Sequence, residues 1–337
     1  MPKMKPELFS SPAIHRYNGG RPVLTSADLP YPSNSVFNCA VQKLDGRYAM
    51  LFRNDYGYDP KTGRFAGTNL GLAWSRDGYD WQVEPEPVWP VRTEEILRVY
   101  DPRLTLIDGE MYVCFAMDTR HGLRGGIART EDLHHFDIIS LSVPDNRNMV
   151  LFPEKINGYY YRLERPMPVY SREKDRFDTW LSKSPDLKFW GESSLVLPVE
   201  AVPYANDKTG PAAPPIRTDK GWLTLFHAVD LDPSRGKNGW EPYWRKRYCA
   251  GMMLLDLEDP SKVLGVMREP LLAPETYWEA DEGFRTNAVF PCGMILEDGG
   301  EVRIYYGASD EVVCLATADV NELVNLCLAG GPPEYSA

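Results

Sequence analysis

The chain is poor in several things at once, and each shortage excludes a class of protein. No stretch of about 18 consecutive apolar residues occurs in its 337 residues, so a membrane-spanning helix is not expected. Positive charge is in the minority: 37 Lys and Arg face 48 Asp and Glu, for a formal net charge of -11. No Lys/Arg-rich run breaks that balance, so a nucleic-acid backbone would find no basic surface here. There are six cysteines, widely separated and in apolar stretches such as Tyr112-Val113-Cys114-Phe115, with no CxxC pair. They read as reduced buried thiols, not as disulfides or a zinc site. The adjacent His134-His135 pair diverges on a turn and makes a poor metal site. GxGxxG at a strand-helix junction, a P-loop, GxSxG and HExxH are all missing, and no metal or organic cofactor is implied. Residues 1–20 contain no apolar segment ahead of a small-residue cleavage site, and the expectation is a cytoplasmic protein without membrane association.

What the chain has in quantity is turns. Its 29 Pro and 27 Gly are spread along the length, which disfavours helical bundles. A Gly-bearing turn followed by an aromatic and β-branched run recurs five times: Asp45-Gly46 to Phe52, Asp108-Gly109 to Phe115, Asn157-Gly158 to Tyr161, Lys220-Gly221 to Phe226, and Gly299-Gly300 to Tyr306. A second strand-like run ending in a polar turn follows each, as in Gly71 to Gly78, Ile127 to Asp132 and Trp180 to Asp186, with degenerate copies at Leu254 to Pro260 and Leu315 to Asp319. The spacing of about 63 residues suits a four-stranded antiparallel blade. The reading is an all-β, five-bladed β-propeller forming one domain over residues 1–337, with residues 1–20 as an N-terminal arm and a short C-terminal helix over 321–329. A β-sandwich with chance turn similarity is the bland alternative, because Asp-Gly before hydrophobics is a common hairpin signal.

The repeat also locates chemistry. After the run that follows each Gly turn come polar groups: Arg53-Asn54-Asp55, Asp118-Thr119-Arg120, Glu164-Arg165, His227 with Asp230, and Asp310. Equivalent positions in successive blades surround one axis, so these residues should ring one end of the central channel. Asp101, before a proline and an apolar strand, sits on stiff extended backbone suited to a positioned acid. Arg147, Arg165, Lys208 and His227 can form a phosphate or carboxylate clamp. Tyr56, Tyr58, Tyr100, Tyr204, Trp240, Tyr243 and Trp244 are placed for stacking on sugars, whereas Trp74, Trp81, Trp190 and Trp222 read as blade core. Singly, each charged residue could be a solvated strand end or a surface ion pair.

The chain resembles glycoside hydrolase family 130, inverting β-mannoside phosphorylases and related hydrolases on a five-bladed propeller. The likeness spans about residues 23–327. It rests on Val36-Phe37-Asn38, Phe52-Arg53-Asn54-Asp55, Gly67-Thr68-Asn69-Leu70-Gly71-Leu72-Ala73-Trp74-Ser75, Tyr100-Asp101-Pro102-Arg103, Leu151-Phe152-Pro153-Glu154-Lys155-Ile156, Arg165-Pro166 and Ile304-Tyr305-Tyr306-Gly307-Ala308-Ser309-Asp310. The second and third stretches, Ala116-Met117-Asp118-Thr119-Arg120-His121-Gly122 and the insertion from His227 to Glu241 look most like the 4-O-β-mannosyl-glucose phosphorylase branch. The resemblance implies Asp101 as catalytic acid, protonating the glycosidic oxygen through the mannose 3-hydroxyl, and Arg147, Arg165, Lys208, His227 and Tyr248 as phosphate ligands. It implies Asn38, Arg53, Asp55, Asn69, Arg120 and Asp310 as sugar-binding. The family pattern Ala-Asp-Thr is Ser309-Asp310-Glu311 here, and Tyr100 precedes the catalytic position where other branches often carry an acid.

The inventory has a chemical logic. An inverting hydrolase needs two carboxylates roughly 6.5–9.5 Å apart with water between them. A phosphorylase uses phosphate, already an anion and a nucleophile, and needs a cationic cradle in place of the base. The expected reaction is 4-O-β-D-mannosyl-D-glucose plus phosphate giving α-D-mannose 1-phosphate and D-glucose, by a homo-oligomeric enzyme. The alternatives are β-1,4-mannooligosaccharide or β-1,2-mannobiose phosphorolysis, a phosphate-independent mannosidase, and a non-catalytic sugar-binding propeller.

Overall fold

The structure is a computed structural model and describes residues 7–89, 93–167, 177–235 and 244–334. Its strands form five antiparallel sheets around an axis, the propeller expected from the repeat. Blade 1 runs Ser35–Leu44, Arg47–Tyr56, Gly67–Ser75, Gln82–Val83; blade 2 runs Ile96–Ile107, Glu110–Thr119, Gly122–Thr130, Asp137–Leu141. Blade 3 is Asn146–Leu151, Tyr160–Pro166, Thr179–Ser184, Gly191–Leu197; blade 4 is Lys208–Pro211, Trp222–Leu231, Lys246–Leu255, Val263–Val266, with Ile216–Arg217 also pairing on Trp222–Leu231. Blade 5 is Val289–Leu296, Glu301–Ala308, Val312–Asp319 and, on the outside, His15–Arg16.

The Gly turns join each first, inner strand to the second. At Asp45-Gly46, Asp108-Gly109 and Asn157-Gly158 both turn residues have positive φ, the two-residue hairpin geometry that Asp or Asn before Gly allows at little steric cost. Each second strand therefore climbs from its turn to the rim where its inner strand began. That is why Arg53, Arg165 and Asp310, at or just beyond second-strand ends, meet Asn38, Asp101 and Arg147 from inner strands.

The inner strands carry a shared irregularity. In blades 1, 2 and 3 two residues oppose one on the second strand, between Phe37 and Ala40, Tyr100 and Arg103, and Arg147 and Val150. The first extra residue is Asn38, Asp101 or Asn148, with φ of 48°, 54° and 57°. Asn and Asp tolerate this left-handed conformation better than other non-Gly residues, and such bulges re-aim a side chain. Here all three line the same cavity.

Apolar faces pack between blades, for example Leu225 and Met252 of blade 4 against Val289 and Ile304 of blade 5, and all four are essentially buried. Fully burying one such side chain contributes about 1.5–3 kcal/mol. All six cysteines are buried and unpaired, as expected. Of the four core tryptophans, Trp222 is fully buried, whereas Trp74, Trp81 and Trp190 are half-buried. Arg47 lies 3.6 Å over the Trp74 ring and Arg162 4.2 Å over Trp190.

The N-terminal arm packs against its own chain. His15 and Arg16 pair with Thr317 and Ala316, adding the outermost strand of blade 5 and closing the ring. Arg16 donates Nε to Glu279 Oε1 at 2.8 Å and an Nη to Oε2 at 2.9 Å, and Glu279 is fully buried. Asp319 caps the helix Val320–Gly330 by accepting from the backbone N–H of Asn321 and Glu322, and Gly331 ends it at φ 68°. That helix matches the expected one; a single turn at Tyr277–Ala280 was not foreseen. Among the described residues no helix is long and apolar enough to cross a membrane.

Candidate active site

At the rim of the channel a small cavity of about 70 Å³ is lined by residues from at least four blades, among them Asn38, Asp101, Arg147, Arg165, Tyr248 and Asp310. It opens on two wider clefts. One, of about 520 Å³, adds Asp55, Phe65, Thr68, Arg98 and Phe284; the other, of about 490 Å³, adds Lys208, Arg245 and Lys246. Arg147 and Arg285 line all three. In the first cleft arginines are accompanied by Asp55, Asp310 and aromatic rings, whereas the second has cations and, among the described residues, no carboxylate, a division suited to a sugar on one side and an anion on the other.

Asp101 is buried at one side of this junction. Its Oδ1 accepts from Asn38 Nδ2 at 2.9 Å and from an Arg53 Nη at 3.3 Å, while Oδ2 has no protein hydrogen bond among the described residues. Arg53 is itself oriented: it forks onto Asp55 at 3.0 and 2.7 Å, and its guanidinium lies 4.6 Å from the Phe37 ring centre and 4.8 Å from Tyr100. Burial works to raise the Asp101 carboxyl, but Arg53, Arg103, the Asn38 amide and Arg147 outweigh it and hold the group below the ordinary Asp range. Asp310, at φ 53° and paired with Arg285 at 3.1 Å, is pushed the other way, chiefly by burial. The two carboxyls of the cavity are thus driven apart.

The cationic wall is under-compensated. Arg165 is 1% exposed, and among the described residues its Nε and one Nη have no partner and the Nε of Arg147 has none. Burial, then the neighbouring Arg147, draws Arg165 down to about 9. A guanidinium keeps its proton in proteins, so this expresses strain that an anion would relieve. Lys208 is lowered for the same reasons, burial first and then Arg165 and Lys246; its Nζ lies 3.7 Å from Asp207, which Lys246 holds at 2.9 Å. Buried donors with no acceptor against one wall of a pocket fit a polyoxyanion.

Most of the expected residues are brought together, but not all in the same way. Asn38, Arg53, Asp101, Arg147, Arg165, Tyr248 and Asp310 line the central cavity; Asp55 and Lys208 line the flanking clefts. His227 is fully buried behind the wall and outside the lining, where its Nε2 accepts from Arg165 at 3.2 Å. That assigns the ring proton to Nδ1, and burial beside Arg165 and Arg103 holds the imidazole neutral. Tyr248 stacks between His227 and Trp244. Asn69 is turned away and accepts from Asn54 Nδ2 at 3.0 Å, and Arg120 is exposed on a tight turn away from the cavity. Glu164 serves the blade, accepting from Asn146 and Ser182 and pairing with Arg162. Tyr204 is core, while Trp244 and Tyr100 do reach the cavity; Trp240 and Tyr243 lie outside the described residues.

Sequence reasoning missed Asn148, Arg285 and Phe290 of the lining, and Arg103 behind it. Asn148 carries a readable signal, since an Asn or Asp at the bulge of the inner strand recurs in blades 1 to 3. Arg285 follows the one-turn helix, outside any repeat. Among the described residues no group of three His, Cys, Asp or Glu is placed to hold a metal ion.

Fold and site together define a five-bladed β-propeller with a buried carboxylate beside a wall of under-paired cationic side chains at its rim. The sequence model of glycoside hydrolase family 130, described as beta-1,4-mannooligosaccharide phosphorylase, matches residues 12–329. A 1,2-beta-oligomannan phosphorylase of Thermoanaerobacter is 33% identical over 90% of this chain and 96% of its own. A 4-O-beta-D-mannosyl-D-glucose phosphorylase of Bacteroides fragilis is 29% identical, covering 97% of this chain and 88% of its own. Among solved structures, a beta-1,2-mannobiose phosphorylase from Listeria innocua superposes with a TM-score of 0.79 at 24% identity, over 94% of this chain and 99% of that one, and shares the fold. The chain belongs to glycoside hydrolase family 130.

Proposed function

We propose that the protein is an inverting β-mannoside phosphorylase acting on 4-O-β-D-mannosyl-D-glucose, with phosphate as co-substrate, to give α-D-mannose 1-phosphate and D-glucose. The observation that carries the phosphorolytic reading is the set of buried donors without acceptors on Arg147 and Arg165, next to Lys208 and beside Asp101. A water-using enzyme has no need of such a wall.

In this reading Asn38, Arg53 and Asp310 hold the mannose, and the unpartnered Oδ1 of Asn38 is available to a sugar hydroxyl. Phosphate seated on Arg147, Arg165, Lys208 and Tyr248 attacks the anomeric carbon from the α face. As the C1–O bond breaks, Asp101 delivers its proton through the mannose 3-hydroxyl to the departing glucose oxygen. The acidic proton of the new phosphate ester then restores Asp101. Arg147, one of the cations that keep Asp101 ionised, is also one of the phosphate ligands, so anion binding there raises the carboxyl's affinity for the proton it must donate. His227 acts through Arg165, holding its guanidinium in place.

The mannosyl-glucose assignment rests on the Phe52–Asp55, Gly67–Ser75 and Ala116–Gly122 stretches and on the insertion from His227 to Glu241. A second reading, phosphorolysis of β-1,4-mannooligosaccharides or β-1,2-mannobiose, is favoured by two relatives at 33% identity, a beta-1,4-mannooligosaccharide phosphorylase and a 1,2-beta-oligomannan phosphorylase. Synthesis from α-mannose 1-phosphate with glucose, mannose or N-acetylglucosamine as acceptor separates them: the proposal expects glucose to be used best, and preference for mannose would replace it with the second reading.

A further inference from the structure

Arg103 is among the largest fully buried side chains of the described residues, at 1% exposure, and lies outside the cavity lining. The bulge between Tyr100 and Arg103 leaves Asp101 and Pro102 opposite a single residue, so the strand reaches Arg103 with Asp101 held left-handed and Pro102 unable to donate a ladder hydrogen bond. Arg103 takes up the slack. One Nη donates to the carbonyl oxygen of Asp101 itself at 2.6 Å, and Nε donates to the carbonyl of Ala212, just past the inner strand of blade 4, at 3.0 Å. Blades 2 and 4 are not neighbours, so this side chain bridges the channel behind the site. Its guanidinium also lies 5.6 Å from the ring centre of Phe290, a cavity-lining residue of blade 5.

No carboxylate is paired with Arg103 among the described residues, and its second Nη is buried without a partner. A buried, unneutralised guanidinium is costly and is replaced by an apolar side chain at little loss when only packing is required. We infer that Arg103 is a positioning residue for Asp101: it pins the backbone of the acid's strained bulge to blade 4 and supplies a permanent positive charge beside the carboxyl. The inference rests on the reading of Asp101 as the acid. The same charge helps to keep His227 neutral behind Arg165, so one buried arginine serves both the acid and the anion wall.

The test compares Arg103→Met, Arg103→Lys and Asp101→Asn in phosphorolysis across pH, with KM for phosphate and disaccharide measured separately. Arg103→Met removes fork and charge. It is expected to lower kcat about 10- to 100-fold with the disaccharide KM little changed, and to move the limb of the pH profile that reports Asp101 upward by on the order of one pH unit. Arg103→Lys keeps the charge but loses the fork, so kcat falls while that limb stays in place. A merely structural arginine would lower melting temperature and activity without moving the limb. Wild-type kcat and pH profile in Arg103→Met, or equal limb shifts in both variants, overturn the inference. If Arg103→Met does not fold, Arg103→Gln, which keeps a hydrogen-bonding side chain but loses the charge, decides it: an upward-shifted limb supports the inference and an unshifted limb overturns it. Activity retained in Asp101→Asn would instead refute the acid assignment, independently of Arg103.

Discussion

Replacing Arg147 with Met should change two properties in opposite directions. Arg147 lines the central cavity and both clefts, its Nε is unanswered, and after burial it is the largest influence depressing Arg165. Losing a hydrogen bond to a charged group costs about 1.5–3 kcal/mol, so kcat/KM for phosphate should fall roughly 10- to 150-fold at saturating disaccharide. Without phosphate, removing one of several crowded like charges should leave the protein at least as heat-stable as wild type. Phosphate at about 100 times its Kd stabilises the wild type by about 2.7 kcal/mol. With an unfolding entropy of about 2.1 cal/mol/K per residue over 337 residues, that is a rise of roughly 4 °C. At the same phosphate concentration a variant with 100-fold weaker binding should gain less than about 1 °C. Phosphate-titrated kinetics and thermal melts with and without phosphate check both halves. An unchanged KM for phosphate together with an unchanged phosphate-induced shift would refute the cradle.

Three further outcomes follow from the same contacts. Asp101→Asn should abolish phosphorolysis and synthesis by at least 10³-fold while binding phosphate no more weakly in calorimetry, whereas Asp310→Asn should act mainly on the disaccharide KM; equal kcat losses in the two would mean the roles are misassigned. Glu311, held up at about 7 by burial and by Glu282, is less readily ionised folded than unfolded, so it withdraws stability as pH rises from the ordinary Glu range through 7. Glu311→Gln should therefore raise the melting temperature more at pH 8 than at pH 5, and an equal shift at both would contradict the argument. Arg16→Met strands the buried Glu279 carboxylate and should destabilise by about 3–5 kcal/mol in denaturant unfolding, far more than an exposed pair such as Arg217 with Glu154.

The propeller was legible because its hairpin turns require residues the sequence displays. A Gly recurs at each inner-to-second turn, preceded by Asp or Asn in blades 1 to 3, and the polar groups toward the end of each second strand mark the functional rim. The site was legible where chemistry demands a residue type, at Asp101, Arg147, Arg165 and Lys208. It was less so where geometry intervenes. Asn69 has the right type but faces Asn54, and His227 lies behind Arg165 although it occupies the expected repeat position. The bulges that aim Asn38, Asp101 and Asn148 leave only an Asn or Asp as trace, because the same residue types mark ordinary turns. Arg285 reaches the cavity from a connection that belongs to no repeat, and ring closure by His15–Arg16 depends on a two-residue strand too short for any periodicity.

Phosphorolysis is the central claim, and one incubation tests it most directly: 4-O-β-D-mannosyl-D-glucose with the enzyme, with and without inorganic phosphate, following mannose 1-phosphate and free mannose. The account predicts α-mannose 1-phosphate and glucose in equal amounts, strictly dependent on phosphate. Release of free mannose at the same rate without phosphate would contradict it.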